Sequence, residues 1–245
     1  MDELTVLSPH RDDAAFSLCQ SLARWTHLPL KLRVVNFFTV SAYGPRSGST
    51  DRALISSLRK REDERAIASI DREIKIESLD LLDAPLRLGV NVSSVCRSEM
   101  GALQPQGEAE NLAYWIRRYL RRGLVLSPLG LGNHVDHLAV KTAAVSSSMR
   151  NRLGFYEDLP YAIWTPDSVL RRSIGDIEER TGMPLRPVVI RGKKGVRWKA
   201  RIIGGYASQI TREHATGIAQ FALTYRGCER IWIPKHAKGW QLLIT

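Results

Sequence analysis

Short apolar runs alternate with helix-period segments through the first 150 residues. Runs rich in β-branched and aromatic residues predict buried strands, and apolar residues recurring every three or four positions predict helices. The predicted strands are residues 4–8, 32–39, 74–79 and 124–127. The predicted helices are residues 12–25, 51–71, 108–122 and 137–150. Such alternation is typical of a parallel sheet wound with crossover helices.

Three other parts of the chain have weaker patterns. Residues 41–50 form a Gly-, Ser- and Pro-rich loop that is long enough to have a functional role, and residues 80–107 look irregular. From residue 153 onward the pattern is less regular again. We therefore predict the α/β class, a Rossmann-like three-layer domain with a mostly parallel sheet and an irregular C-terminal part. Residues 1–245 would form one domain, with 1–150 as its core and 151–245 completing the site and the sheet edge.

Glycine motifs for nucleotides are missing from this chain. No GxGxxG follows the first strand, and the glycine turn Gly130-Leu131-Gly132-Asn133 lacks the Lys-Ser/Thr of a P-loop. The strand–helix alternation therefore does not imply a nucleotide.

Histidine and aspartate cluster in two short loops. The first strand ends in Ser8-Pro9-His10-Arg11-Asp12-Asp13, and the strand at 124–127 is followed by Asn133-His134-Val135-Asp136-His137. Loops at the carboxyl ends of parallel strands line the same crevice, where ligands bind. We therefore expect the two loops to meet.

The residue types in these loops suggest a metal site. His10 and Asp13 are three residues apart at a helix start and can turn to one point, and a histidine of the second loop would add another imidazole. Two imidazoles and one carboxylate match hydrolytic zinc sites that keep a position open for water. Either Asp12 or Asp136 is available as a general base. The competing interpretation is that these aspartates cap the two helices, but a pair of clusters at equivalent positions favours a metal.

The same two loops resemble a known family. Residues 8–13 resemble the Pro-His-x-Asp-Asp motif of the PIG-L/LmbE-like deacetylases, and residues 134–137 resemble their His-x-Asp-His motif. Weaker similarities follow in the family's order: residues 59–63 to an Arg-x-x-Glu helix, residues 156–161 to a Glu-Asp-x-Pro-Tyr stretch, and residues 199–209 to a Lys-Ala … Ser-Gln helix. The resemblance spans about residues 4–210.

This resemblance implies a fold and a reaction. Members have a single Rossmann-like domain and use zinc to remove an acetyl or other acyl group from an amino sugar. By position, His10, Asp13 and His137 would ligate one Zn²⁺ or another divalent ion, and Asp12 would be the general base. The expected partner is a small N-acetylated amino-sugar conjugate, with no nucleic acid and no membrane.

The resemblance also implies roles outside the metal ligands. His134 would stabilise the oxyanion or protonate the leaving amine, and Asp136 would orient His134 or complete the second shell. Arg59 would contact substrate hydroxyls while Glu62 holds it in place. The alternative for Arg59 and Glu62 is a plain surface ion pair. For residues 157–158 the alternatives are a site wall and a solvated turn.

Two positions depart from the family pattern. Arg11 stands where relatives often have proline or an apolar residue, and we expect its side chain to leave the loop for solvent or substrate. Val135 replaces a proline that is common in the second motif, which predicts a freer loop.

Composition and charge add two constraints. The chain has 44% hydrophobic and 25% charged residues, an ordinary globular composition, and no apolar run reaches the ~18–20 residues of a membrane span. Three widely spaced cysteines and an N-terminus without a signal-peptide pattern predict a cytoplasmic protein.

The net charge of +11 suggests an alternative function: a basic protein that binds nucleic acid or another polyanion without catalysis. The basic residues occur as short clusters without interleaved stacking aromatics, which weakens that alternative. The excess arginine would otherwise serve solubility, or surround the pocket and favour an anionic sugar conjugate.

The two His/Asp loops predict that the purified protein holds about one equivalent of zinc or a similar divalent ion. His10→Ala and His137→Ala should each lose it, because each removes an imidazole ligand. Elemental analysis after reconstitution measures this, and a metal-free reconstituted wild type would contradict the prediction.

Overall fold

Seven strands form one sheet with the order β3-β2-β1-β4-β5-β7-β6. The computed structural model describes residues 3–97, 108–147, 150–192, 194–236 and 238–244. The first five strands in this order run parallel, and β7 is antiparallel to both β5 and β6. The strands are β1 (Glu3–Ser8), β2 (Lys31–Asn36), β3 (Lys75–Ser78), β4 (Leu124–Pro128), β5 (Leu153–Tyr156), β6 (Leu185–Ile190) and β7 (Glu229–Pro234).

Helices pack in two groups against this sheet. The helices of the described residues are α1 (Asp13–Trp25), α2 (Arg52–Ile70), α3 (Ala84–Leu88), α4 (Glu108–Arg122), α5 (Val135–Val145), α6 (Asp167–Thr181), α7 (Val196–Ile203), α8 (Arg212–Gln220) and α9 (Gln241–Ile244). Helix α1 contacts α2 and α7, whereas α5 contacts α4 and α6. Because parallel crossovers are right-handed, helices that lead to strands on opposite sides of β1 cover opposite faces of the sheet.

The order of the sheet reverses between β1 and β4. The chain moves from β1 outward to β2 and β3, then returns to place β4 on the other side of β1. The connections after β1 and β4 therefore leave in opposite directions and open a crevice at the carboxyl ends of these two strands. Both strands are buried throughout their central residues, for example Val6 and Leu126, which are completely inaccessible to solvent. Burial on both faces explains their continuous apolar sequences.

The predicted α/β class and mostly parallel sheet are confirmed. Boundaries differ: β2 ends at Asn36, and α5 runs from Val135 to Val145 rather than over 137–150. Residues 98–107 of the predicted irregular stretch and residues 148–149 lie outside the described residues. The loop at 41–50 contains no helix or strand, as expected.

The C-terminal part covers one edge of the sheet and is more regular than its sequence pattern indicates. Residues 153–244 supply three strands of the sheet and four helices among the described residues. Strand β6 carries Pro187 and is only partly buried, so its sequence has neither a clear alternation nor a continuous apolar run. A short edge strand of this kind leaves a weak pattern, which is why the sequence did not reveal it.

A buried ion pair ties the C-terminal part to the first helix. Lys199 of α7 donates to Glu229 of β7 at 2.6 Å, and both side chains are almost completely buried. Glu229 also accepts the backbone N–H groups of Gln20 and Ser21 in α1, at 3.1 and 2.8 Å. The carboxylate thus joins three elements at one point. Within the described part of the chain, no helix is long and apolar enough to cross a bilayer.

Lys199→Met should lower the free energy of unfolding by about 3–5 kcal/mol, because it leaves Glu229 as a buried charge without its cation. Lys60→Met is the matched control, since Lys60 is exposed and lies 3.9 Å from Glu64 on the surface of α2; it should cost at most about 0.5 kcal/mol. Guanidinium unfolding measures both. Similar losses for the two variants would contradict the role of the buried pair.

Candidate active site

The two predicted His/Asp loops meet in the crevice between β1 and β4. Oδ2 of Asp13 lies 3.3 Å from Nδ1 of His10 and 3.3 Å from Nε2 of His137. His10 and Asp13 come from the loop after β1, and His137 comes from the first turn of α5, after β4. The topology therefore brings together residues about 125 positions apart in the sequence, as the strand pattern predicts.

Backbone hydrogen bonds shape the first loop. The N–H of His10 donates to Oδ2 of Asp13 at 2.7 Å, and Oγ of Ser8 accepts the N–H of Ala14 at 3.0 Å. Asp12 occupies the cap position of α1, yet its side chain accepts no capping hydrogen bond. The helix-capping interpretation therefore fails for Asp12, whose side chain instead lines a cavity.

The side chain of His134 caps the N-terminus of α5. Its Nδ1 accepts the N–H of Asp136 at 3.2 Å, so the imidazole, and not the Asp136 carboxylate, caps α5. Burial, together with the nearby His10 and His137, lowers the pKa of His134 well below its usual value. A neutral imidazole that accepts at Nδ1 carries its hydrogen on Nε2. His134 therefore offers an N–H donor to the cavity that it lines.

Each of the other two histidines is held by a carboxylate. Nε2 of His10 lies 2.9 Å from Oδ2 of Asp136, and Nδ1 of His137 lies 2.6 Å from Oδ1 of Asp158. Histidines that bind metals are usually held by a carboxylate or carbonyl on the second ring nitrogen. The carboxylate of Asp136 thus contacts His10. The first of the two roles predicted for Asp136 was to orient His134, and its carboxylate does not do so.

Asp136 is itself held in place on two sides. The N–H of Ala84 donates to its Oδ2 at 3.0 Å, and Nη2 of Arg87 lies 2.9 Å from its Oδ1. Its side chain is completely buried. These partners suit a carboxylate that orients His10 and do not suit one that exchanges protons with a substrate.

Asp158 was considered from the sequence for a site wall or a solvated turn, and its contact with His137 was not foreseen. Its second oxygen accepts the N–H of Leu131 at 3.2 Å, and it is fully buried. Its neighbour Glu157 is also buried and accepts from Trp232 and Tyr225, at 2.9 and 2.7 Å. The solvated-turn interpretation of residues 157–158 was therefore wrong. The Glu-Asp-x-Pro-Tyr stretch was the available signal, but the sequence does not show which histidine the aspartate meets.

The donor set of His10, Asp13 and His137 fits a divalent metal. Nε2 of His137 is buried and makes no hydrogen bond within the described part of the chain. The three ligand atoms lie within 4.8 Å of one another. Ligand atoms about 2.0–2.2 Å from one tetrahedral ion are about 3.3–3.6 Å apart, which matches the two 3.3 Å separations at Asp13.

The electrostatics of His10 and Asp13 also support a metal at His10, Asp13 and His137. Burial lowers the pKa of His10, but hydrogen bonds to Asp13 and Asp136 outweigh it and raise that pKa above its usual value. Burial raises the pKa of Asp13, but His137 and His10 outweigh it and hold that pKa below its usual range. The carboxylates thus favour positive charge in the space between the imidazoles. A bound dication would provide that charge. A second cluster, of His10, His134 and Asp136, is less suited, because His10 and Asp136 bond each other and Arg87 neutralises Asp136.

Arg59 and Glu62 do not pair with each other. Arg59 is 6% exposed; its Nη1 donates to Oγ of Ser41 at 3.2 Å, and its Nη2 lies 3.5 Å from Oδ1 of Asp12. Glu62 accepts the N–H and the hydroxyl of Ser208, at 2.8 and 2.6 Å. Arg59 lines the cavity as expected, whereas the expectation that Glu62 holds Arg59 was wrong. Both side chains are buried, so the surface-pair alternative was wrong as well.

A cavity of about 210 Å³ lies beside the candidate metal ligands. One wall contains Tyr43 of the 41–50 loop and Gln209, which are joined by a 3.3 Å hydrogen bond from the Gln209 amide to the Tyr43 carbonyl. Asp83 and Tyr161 also line the cavity. The 41–50 loop, which we expected to be long enough for a functional role, thus contributes Tyr43 to the cavity wall.

Arg11 and Val135 both differ from expectation. Arg11 is 4% exposed, and its Nη1 donates to Oγ of Ser78 at 3.1 Å, so it turns into the protein and not toward solvent. Val135 is buried in a small apolar cluster with Ala84 and Val95, and its N–H donates to the Val95 carbonyl at 3.0 Å. The loop with valine in place of proline is thus anchored, and the freer loop that we predicted is not found.

Known proteins resemble this chain in sequence and in fold. The family model described as PIG-L, GlcNAc-PI de-N-acetylase, matches residues 5–148. The 2'-N-acetylparomamine deacetylase of Streptomyces fradiae is 31% identical over 235 residues, covering 93% of this chain and 80% of that protein.

Solved structures show the same fold. The zinc-inhibited form of teicoplanin deacetylase Orf2 has a TM-score of 0.69 at 20% identity, covering 94% of this chain and 97% of that one. The N,N'-diacetylchitobiose deacetylase of Pyrococcus horikoshii has a TM-score of 0.59 at 16% identity, covering 95% and 84%.

The fold, the site and these relatives define a hydrolase that acts as an N-deacetylase. The chain belongs to the PIG-L family, as the two His/Asp motifs predict.

A buried carboxylate beside the site makes stability depend on pH. Asp63 accepts from Asn36 at 2.7 Å and from the Tyr206 hydroxyl at 2.9 Å. Burial raises the pKa of Asp63 to about 7 in spite of these donors. A carboxyl group whose pKa is higher in the folded state than in the unfolded chain favours the folded state only while it is protonated. Its contribution to stability is therefore lost as pH rises from about 4 to about 7.

Asp63→Asn should remove this dependence, because the amide stays neutral. The free energy of unfolding of the variant minus that of the wild type should rise between about pH 4 and 7 and then level off. Urea unfolding at several pH values measures it, with the exposed Glu64→Gln as control. A difference that stays constant with pH would contradict the buried neutral carboxyl.

Proposed function

We propose that this chain is a zinc-dependent N-deacetylase that hydrolyses the acetamide of an amino-sugar conjugate. His10, Asp13 and His137 would hold the ion. The observation that carries the proposal is the buried Nε2 of His137, which has no hydrogen bond in the described part of the chain and faces the same Asp13 oxygen as His10. A divalent ion at such a set polarises a carbonyl group and acidifies water.

Asp12 is the general base in this proposal. Its side chain lines the cavity, caps no backbone group and lies 3.5 Å from the Arg59 guanidinium. Asp12 accepts a proton from the water whose oxygen attacks the acetamide carbon. The carbon–nitrogen bond then breaks and the amine takes up that proton, so acetate and a free amino sugar leave. Asp136 is completely buried against Arg87 and acts through His10 instead.

His134 supplies a hydrogen bond to the oxygen of the tetrahedral intermediate. Its Nδ1 is occupied by the N–H of Asp136, so Nε2–H is the group directed at a substrate. Its lowered pKa keeps the ring neutral, and this favours the oxyanion role over protonation of the leaving amine. Asp158 fixes His137 with Nε2 turned toward the metal ligands.

The substrate we propose is an N-acetylated aminoglycoside-type sugar. The support is the 31% identity, over most of the chain, to a protein named 2'-N-acetylparomamine deacetylase. Arg59, Tyr43 and Gln209 line the cavity and offer polar groups for sugar hydroxyls. We further propose a cytoplasmic location, which the free Cys19, Cys96 and Cys228 favour.

The polyanion-binding alternative has less support. Its basic clusters include Arg59, which is buried, and others on α4 and α6, which pack on the opposite face of the sheet from α2. Charges spread over two faces do not form one continuous surface for a nucleic acid.

Asp12→Asn should keep the metal and lower kcat for acetate release about 10²–10⁴-fold, because the amide cannot accept the proton. Metal content is measured beside turnover on a panel of N-acetylated amino sugars with zinc restored. Asp51→Asn is the control, since Asp51 lies outside the cavity and caps α2. Undiminished turnover in Asp12→Asn would remove Asp12 from the mechanism, and no acetate release from any sugar by the wild type would overturn the proposed function.

A further inference from the structure

Asp83 is a buried carboxylate in the cavity wall with an oxygen that nothing compensates. It is 3% exposed and lines the cavity. Its Oδ1 accepts the N–H of Leu86 at 3.3 Å and so caps α3. No hydrogen bond or ion pair engages its Oδ2 in the described part of the chain. A carboxylate oxygen that has no protein donor and belongs to a residue lining a cavity can accept a hydrogen bond from a bound group.

The charges around the cavity leave Asp83 unbalanced. Among the described residues that line it, Asp12 lies beside the Arg59 guanidinium and Asp13 lies between two histidines. Asp83 has no such cation. Arg87, its neighbour in sequence, pairs with Asp136, and residues 98–107 contain no Lys or Arg.

The apolar surroundings of Asp83 strengthen its attraction to a positive charge that binds there. Pro85, Val92 and Val95, which follow Asp83 in the sequence, also line the cavity and bring no polar side chain to it. A carboxylate among apolar groups interacts more strongly with an opposite charge than one in water does. The cavity is therefore acidic at this wall although the whole chain carries +11. This distribution argues against the anionic sugar conjugate that the basic composition suggested.

We infer that Asp83 binds a second, free ammonium group of the substrate, so that the enzyme selects conjugates with an unacetylated amine over neutral N-acetyl sugars. The inference rests on the proposed function and deepens it by naming a charge class of substrate. An ammonium donates charge-assisted hydrogen bonds to Oδ2, which has no other donor. A hydroxyl at that position can also donate to Oδ2 but carries no positive charge, so it forms no ion pair with Asp83 and the site discriminates against it.

The test compares two matched substrates. One is a diamino sugar acetylated on one nitrogen, and the other has a hydroxyl in place of the free amine. The wild type should show a kcat/KM about 10- to 100-fold higher for the amine-bearing substrate, mainly through KM. Asp83→Asn and Asp83→Ser should reduce this ratio to about twofold or less. Both substitutions keep a side chain that can cap α3, so the fold should be retained.

Asp71→Asn is the matched control. Asp71 also accepts a backbone N–H, that of Glu73 at 2.8 Å, and lies outside the cavity. The substitution changes the net charge by the same amount as Asp83→Asn, and the substrate ratio should stay as in the wild type. A fall in this control too would assign the effect to overall charge and overturn the inference.

A binding measurement separates recognition from catalysis. Calorimetric titration with the fully deacetylated diamino sugar should give a dissociation constant about 10- to 100-fold higher for Asp83→Asn than for the wild type. Equal hydrolysis of both substrates by the wild type, or equal binding by the variant, would overturn the role of Asp83 and leave the deacetylase function standing. A wild type that releases no acetate but binds the diamino sugar through Asp83 would instead overturn the deacetylase function alone.

Discussion

The contact of one aspartate oxygen with two imidazoles governs the organisation of this protein. Oδ2 of Asp13 lies 3.3 Å from a nitrogen of His10 and 3.3 Å from one of His137, and the two histidines come from loops on opposite sides of the sheet's reversal point. Burying two imidazoles and a carboxylate together costs free energy unless hydrogen bonds hold each group in position. The neighbouring elements supply that restraint: Asp136 for His10, and Asp158 for His137.

The sequence predicts the parts of this arrangement that depend on local pattern. Strands β1 and β4 are buried on both faces, so they are continuous apolar runs, and the residues that follow them fall in one crevice by the rules of parallel sheets. For this reason His10, Asp13 and a histidine of the second loop could be expected in one site from the pattern. The choice of His137 as that histidine came from the family resemblance. The family likeness of the same motifs is confirmed by the relatives.

Contacts between segments that are distant in the sequence could not be predicted from the pattern of residues. Glu62 meets Ser208 and not Arg59, because the helical spacing of three residues permits a pair but does not decide between it and a better donor from another segment. Arg11 turns inward because Ser78 at the end of β3 offers an acceptor that only the folded sheet brings near. The edge strand β6 escaped notice because partial burial and Pro187 weaken its period.

One carboxylate links the wall of the cavity to the metal ligands. Oδ2 of Asp136 accepts both the N–H of Ala84, next to Asp83, and the ring of His10. A shift of the backbone at 83–84 therefore displaces the partner of His10, so this wall cannot be remodelled for a new substrate without disturbing the catalytic centre. In the described part of the chain, the loop at 41–50 and Gln209 have no such tie to the metal ligands His10, His137 and Asp13; the loop reaches the catalytic centre only through Arg59, which lies 3.5 Å from Asp12. Divergence of substrate choice within this architecture is accordingly easier on that side of the cavity than on the side of Asp83.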